Sequence, residues 1–194
     1  MSIKRNHLRT IIEISLQELG ESYAEENAVE LLMMTAAHET LLGHYLYQDD
    51  GDREIEDHLA LGIYGMEKRT HDDVQRVVIS DSDRFDFVPF DNARRLIFDL
   101  KYATQMCRIH FTRFIDPIPN KDDVLGLASY YKEFWNTKAG KAKLSDVIYN
   151  YKRLVLDSLR ECDMCGKLKE NVTYSRHLGM NVCPSCDQTT NVPW

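Results

Sequence analysis

Two groups of side chains have the residue types and spacing for chemistry. The first is a single carboxyl. Glu39 closes the apolar stretch Asn27–Thr40 (NAVELLMMTAAHET), and about two dozen residues later comes a glycine-bearing aromatic turn, Ala60–Val74 (ALGIYGMEKRTHDDV). A carboxyl held where an apolar helix gives way to a polar loop is disfavoured as an anion, both by burial and by the negative end of the helix dipole. Its pKa should rise toward neutrality, which is what a general acid needs. The competing reading is a solvated glutamate at a helix end.

The second group is four cysteines. Cys162-x-x-Cys165 and Cys183-x-x-Cys186 are separated by 17 residues, within the spacing of about 15–20 expected of two metal-binding knuckles. Each C-x-x-C turn lets two thiolates converge. Gly166 permits the tight geometry after the first pair, and Pro184 stiffens the second. The β-type residues between Lys169 and Val182 predict a hairpin between the knuckles. Four thiolates close a tetrahedron and leave no position for water, so the expected ion is one structural Zn2+ per chain. Two disulfides are the alternative, which a chain lacking an export signal disfavours. His177 reads as a turn residue, not as a further ligand.

The elements that must hold these groups are mostly helical. Leu8 to Leu19 carries apolar residues at helical spacing, and Gly20 ends it. Ser22 with Glu25 predicts a capping box for the Glu39 helix, and Thr70 with Asp73 one for a helix through Ile79. Asp91 is expected to open the longest helix, with Leu96, Leu100, Ala103, Cys107, His110 and Phe114 on one stripe. Cys107 there reads as a buried thiol. Asn120 with Asp123 starts a helix ending near Trp135, and Leu144 to Leu159 carries the last. That helix runs almost directly into Cys162, so a rigidly packed C-terminal module is expected. The division is residues 1–160, helical, and 161–194, a small β zinc ribbon.

The Glu39 segment and the turn after it together resemble the lysozyme-like superfamily, nearest its soluble lytic transglycosylase and goose-type lysozyme branches. The Met66-Glu67-x-x-Thr70-His71-Asp72-Asp73 run is similar to uncharacterised proteins of tailed bacteriophages. The resemblance covers roughly residues 25–150. It implies a mainly α, lysozyme-like α+β domain, with Leu41–Leu59 as a loop or minor β-hairpin region bordering a cleft. It also implies that Glu39 is the catalytic acid, with Thr40 where the family usually has Ser. Gly62, Ile63 and Tyr64 match the stretch that lines the sugar groove, while Gly65 stands where the family has Gln. Ala128–Lys132, including Tyr130, is a loose echo of a downstream Tyr-Asn-Ala-Gly element. Tyr64 and Tyr130 are candidates to stack on sugar rings, with core packing as the alternative.

What the resemblance implies is cleavage of peptidoglycan glycan strands, by hydrolysis or by lytic transglycosylation. A second carboxylate for hydrolysis is sought in Gln48–Asp52, which reads better as a solvated acidic turn. The absent Gln at position 65 predicts a reduced rate. The alternative is a catalytically weak or inactive structural component of a phage tail or baseplate, with the ribbon as its docking module. A formal net charge of −7 argues against a nucleic-acid partner, as does the balanced charge of the ribbon, where Arg160, Lys167, Lys169 and Arg176 face Glu161, Asp163, Glu170 and Asp187. No apolar run reaches membrane-spanning length. The first residues read as an amphipathic helix and not a signal core. The expected location is the host cytoplasm, with assembly into a virion as one way out.

Overall fold

The computed structural model describes residues 3–47, 60–85, 88–89, 91–136, 140–157, 159–176 and 178–188. The chain is mainly helical, with two small antiparallel sheets near its C-terminus. At the centre lies α2 (Glu26–Thr40), whose buried residues point all round the helix. A helix apolar on every side is one surrounded by others, and α2 packs against α1 (Arg5–Leu19), α6 (Leu100–Phe111), α7 (Val124–Phe134) and α8 (Leu144–Leu154). The amphipathic α3 (Lys68–Ser80) covers α6 from outside, preceding the one-turn α4 (Ser82–Phe85) and α5 (Arg95–Phe98). Leu31, Ala36, Leu96 and Cys107 are fully buried, whereas Leu100 and Ile148 lie half-buried at the margin of the core.

One polar network crosses this core. Glu30 of α2 takes the Arg9 guanidinium at 2.6 Å and the Tyr151 hydroxyl at 2.5 Å. It ties α1 and α8 to the central helix and leaves neither carboxylate oxygen unpartnered, as burial demands.

Helix starts differ from the sequence expectation. Neither capping box forms. Glu25 and Glu67 are the N-cap residues of α2 and α3, and neither side chain caps its helix. The helix expected from Asp91 is broken at Asp99, which is extended and accepts from the Tyr102 N–H at 3.0 Å to start α6 afresh. Asp123 caps α7 in the same way through the Gly126 N–H at 2.8 Å. In both places a short carboxylate competes successfully for the free N–H groups of a first turn.

The end of α2 leads into an unusual backbone conformation. Leu41 and Leu42 both adopt left-handed conformations, φ 52° and 58°, which cost non-glycine residues about 1–2 kcal/mol each. They are held by the Leu42 N–H to the Ala36 carbonyl and by Thr40. The Thr40 hydroxyl lies 2.7 Å from the Ile63 carbonyl and accepts from the Gly43 N–H at 2.9 Å. One side chain thus joins the helix end to the turn at 62–65.

The C-terminal segment has its own small core, formed by Cys162, Val172, Val182 and Cys183. β1 (Leu159–Glu161) pairs with β2 (Leu168–Glu170) across the first knuckle. β3 (Thr173–Ser175) pairs with β4 (Met180–Val182), and α9 (Pro184–Gln188) carries the last cysteine. The expected hairpin between the knuckles is therefore accompanied by a second one around Gly166, whose φ of +65° the turn requires. Lys152 of α8 and Glu170 of β2 form an ion pair between the helices and this segment. No described helix is long and apolar enough to cross a membrane.

Candidate functional site

Glu39 stands on the last turn of α2 between two cavities. One, of about 490 Å3, is walled by Thr40, Tyr45, Tyr47, Ala60, Gly62 and Gly65. The other, of about 330 Å3, is walled among others by Met66, Glu67, Thr70, His110, Trp135 and Asn136. Glu39, Ala60 and Gly65 line both, so the carboxyl sits at the waist of a groove. The first half is largely apolar, with two half-exposed tyrosines. The second is more polar.

Burial pushes the Glu39 pKa up to about 7. The Tyr131 hydroxyl donates to its Oε1, and the Trp135 indole hydrogen-bonds it too; both oppose the shift, while the negative charge of Glu67 adds to it. Desolvation wins because a carboxylate removed from water loses more than two neutral donors return. The carboxyl is therefore poised to give up or take a proton near neutrality, and Tyr131 and Trp135 fix where it points.

Two glycines make this geometry possible. Gly62 has φ +71°, and a Cβ there would lie 2.3 Å from the Leu96 carbonyl oxygen. Gly65 has φ +59°, and a Cβ would lie 3.0 Å from Oε2 of Glu39 and 3.3 Å from its Cβ. The turn is closed by paired Leu61 and Met66 hydrogen bonds of 3.0 and 2.9 Å and by the Gly65 N–H to the Gly62 carbonyl at 3.0 Å. Glycine at 65 is thus explained by backbone conformation and by contact with the acid: a larger side chain would crowd the carboxyl.

Of the other residues expected to line the groove, Gly62 is on the wall. Ile63 is fully buried in the core. Tyr64 is buried too, its hydroxyl 3.0 Å from that of Thr104. Tyr130 is 5% exposed, packs on Phe111 and Phe134, and donates to the Asp116 carbonyl at 3.1 Å. The tyrosine that reaches Glu39 is the next one, Tyr131, since adjacent residues on a helix point about 100° apart. Tyr45, Tyr47, Tyr131, Trp135 and Glu67 were not singled out from the sequence. Tyr131 lies in the Ala128–Lys132 segment, the one signal that could have found it. His38 contacts the edge of Tyr131 and the Asn150 amide at 3.3 Å. The acidic run Gln48–Asp52, His58 and His177 lie outside the described residues.

The four paired cysteines converge. Their sulfurs all lie within 4.8 Å of one another, against about 3.8 Å for the edge of a tetrahedron with metal–sulfur bonds of about 2.3 Å. They lie close enough to bind one metal ion, and none of the chain's five cysteines forms a disulfide. The Cys183 N–H donates to the Cys162 sulfur at 3.3 Å and pulls that thiol's pKa down. The Ser185 hydroxyl and the Cys186 N–H bring Cys183 to about 6, while its hydrogen bond with Cys183 pushes Cys186 up to about 12. Four cysteine sulfurs this close together are a donor set that fits a thiophilic ion. Cys107 is apart from them, fully buried in α6, its thiol pKa raised by burial.

Searches of protein-family models, curated proteins and solved structures found no match to this chain.

Proposed function

We propose that the groove around Glu39 cleaves the glycosidic bonds of peptidoglycan, with Glu39 as general acid, in a lysozyme-like helical domain of phage origin. The C-terminal segment, on this reading, is a ribbon held by one structural zinc. The observation that carries the proposal is a carboxyl with a pKa of about 7 at the waist of a two-sided groove. An acid near neutrality can protonate a leaving sugar oxygen and stay usable through the cycle. Tyr45 and Tyr47, 46% and 41% exposed on one side, offer the flat apolar faces that sugar rings stack on.

In the reaction, Glu39 protonates the bridging oxygen as the bond to the anomeric carbon breaks and positive charge spreads over the sugar ring. The Tyr131 hydroxyl and the Trp135 indole hold the resulting carboxylate in place. Where the sugar's own hydroxyl attacks the anomeric carbon, that carboxylate takes its proton; attack by water from the opposite face needs a second base.

A second reading draws on a different observation. Ile63, Tyr64 and Tyr130 are in the core, while Met164, Leu168 and Tyr174 of the ribbon are exposed. This distribution suits a structural virion component that docks through the ribbon. Incubating metal-loaded protein with purified cell-wall sacculi separates the two. Degradation by wild type and none by Glu39→Gln supports the enzyme; no degradation by either supports the structural component.

A further inference from the structure

We infer that Glu67 is the second carboxylate of this groove, and that it takes a proton from the water that attacks the anomeric carbon, so that the bond is hydrolysed with inversion. The inference rests on the glycan-cleaving reading of Glu39 and deepens it by naming the nucleophile and its base.

Glu67 and Glu39 line the same 330 Å3 cavity, and among the described residues no other acid lines either half of the groove. Glu67 is held firmly in sequence. On one side is Met66, doubly hydrogen-bonded to Leu61; on the other its own carbonyl accepts from the His71 N–H at 2.9 Å, the first bond of α3. Its side chain is exposed to solvent, and the amino end of α3 is a setting that complements a negative charge. Glu39, by contrast, is half-buried at the carboxyl end of α2.

The cavity that both residues line, about 330 Å3, is large enough to admit a nucleophile. A water occupies about 30 Å3, so the cavity holds one beside a sugar ring. Inverting glycosidases keep their two carboxyls far enough apart, roughly 6.5–9.5 Å, to admit that water. The negative charge of Glu67 also bears on Glu39, helping to keep its proton in place until a substrate arrives.

The step balances. The Glu39 carboxyl gives its proton to the bridging oxygen as the carbon–oxygen bond breaks. Water forms the new bond to the anomeric carbon from the opposite face and gives its proton to Glu67. Glu39 is left as carboxylate and Glu67 as acid, and exchange with solvent resets both.

The test uses full-length, metal-loaded wild type, Glu67→Gln and Glu39→Gln on purified glycan strands, with products read by mass spectrometry and by proton NMR of the newly formed ends. Expected are free reducing ends of inverted configuration, and a fall of roughly a hundredfold or more in Glu67→Gln. Azide should restore Glu67→Gln and yield the inverted glycosyl azide, while Glu39→Gln stays inactive. Anhydro-sugar ends, a retained configuration, or wild-type rates in Glu67→Gln would overturn the assignment of Glu67 and leave Glu39 standing. Strand cleavage by Glu39→Gln at the wild-type rate, or none by wild type, would remove the glycan-cleaving reading and this inference with it. Because Glu67 is exposed, Glu67→Gln should match wild type in helicity and melting temperature, so a rate loss is not a folding loss.

Discussion

The Tyr131 hydroxyl of α7 donates to Oε1 of Glu39 on α2, joining residues 92 positions apart in the chain. The contact fixes the acid's direction at the groove's waist and stabilises its ionised form, against the burial that raises its pKa. Tyr131 is a positioning residue for Glu39, and its removal has a sign that can be worked out.

In the proposed reaction Glu39 acts in its protonated form, so glycan cleavage should fall as pH rises through about 7. Tyr131→Phe deletes a donor to the carboxylate, so the Glu39 pKa rises further and the alkaline limb of the pH–rate profile moves to higher pH. Loss of the buried hydrogen bond should cost about 1–2 kcal/mol of stability. Trp135→Phe should shift the limb in the same direction. A limb that stays in place in both variants would mean that another group sets it.

The same shift makes a prediction about stability that needs no substrate. The folded-state pKa of Glu39, about 7, lies above the ordinary glutamate value of 4.5. The folded protein therefore holds a proton that the unfolded chain has released between those two values, and stability contributed by this group falls as pH rises across that window. Glu39→Gln removes the titration. It should be more stable than wild type at pH 8 by roughly 1–3 kcal/mol, with part of the gain offset because the Gln amide oxygen alone can accept, leaving its N–H2 facing one of the two neighbouring donors. Near pH 4 the gain should vanish. Urea denaturation at both pH values checks it, and a difference independent of pH would show that Glu39 titrates normally.

How much of this could be read beforehand depends on how far apart in sequence the cause lies. An apolar run ending in Glu39 and the paired C-x-x-C spacings are local signals, and the buried helix and converging cysteines are both present. The hydrogen-bond donors to Glu39 come from the far end of the chain and announce nothing locally. The Ala128–Lys132 resemblance points to Tyr130 and not to Tyr131, where one residue turns a side chain from the core to the acid. In the turn, Ile63 and Tyr64 read as groove residues. The positive φ angles at Gly62 and Gly65 instead turn backbone toward the groove and send those side chains into the core. The Asp99 break in the expected long helix reflects a carboxylate capping Tyr102, a choice that apolar spacing does not record.

The two glycines should respond differently to alanine. Gly65→Ala places a methyl against the Glu39 carboxyl and strains a left-handed residue, costing about 1–2 kcal/mol. Its larger effect should be on turnover, because the carboxyl must move aside. Gly62→Ala meets the Leu96 backbone, which cannot swing away. Overpacking of about 1–3 kcal/mol adds to the conformational cost, so it should lower melting temperature more than Gly65→Ala does. Equal melting temperatures, or an active Gly65→Ala, would contradict this account of the turn.

Metal removal should separate the two cores. Purified protein is expected to carry one zinc per chain by elemental analysis. A strong chelator, or Cys162→Ser, should melt residues 159–188, because a ribbon this small owes its folding to metal binding. Backbone amides of β1 to β4 should then lose protection from hydrogen exchange. Those of α2 and α6 should keep theirs, since their core shares no residue with the cluster of Cys162, Val172, Val182 and Cys183. Cys107→Ala, deep in α6, should leave the metal content unchanged. Metal-free protein with a protected ribbon would show that the four thiols converge without an ion, and loss of helical protection on chelation would show that the ribbon supports the helices as well as itself.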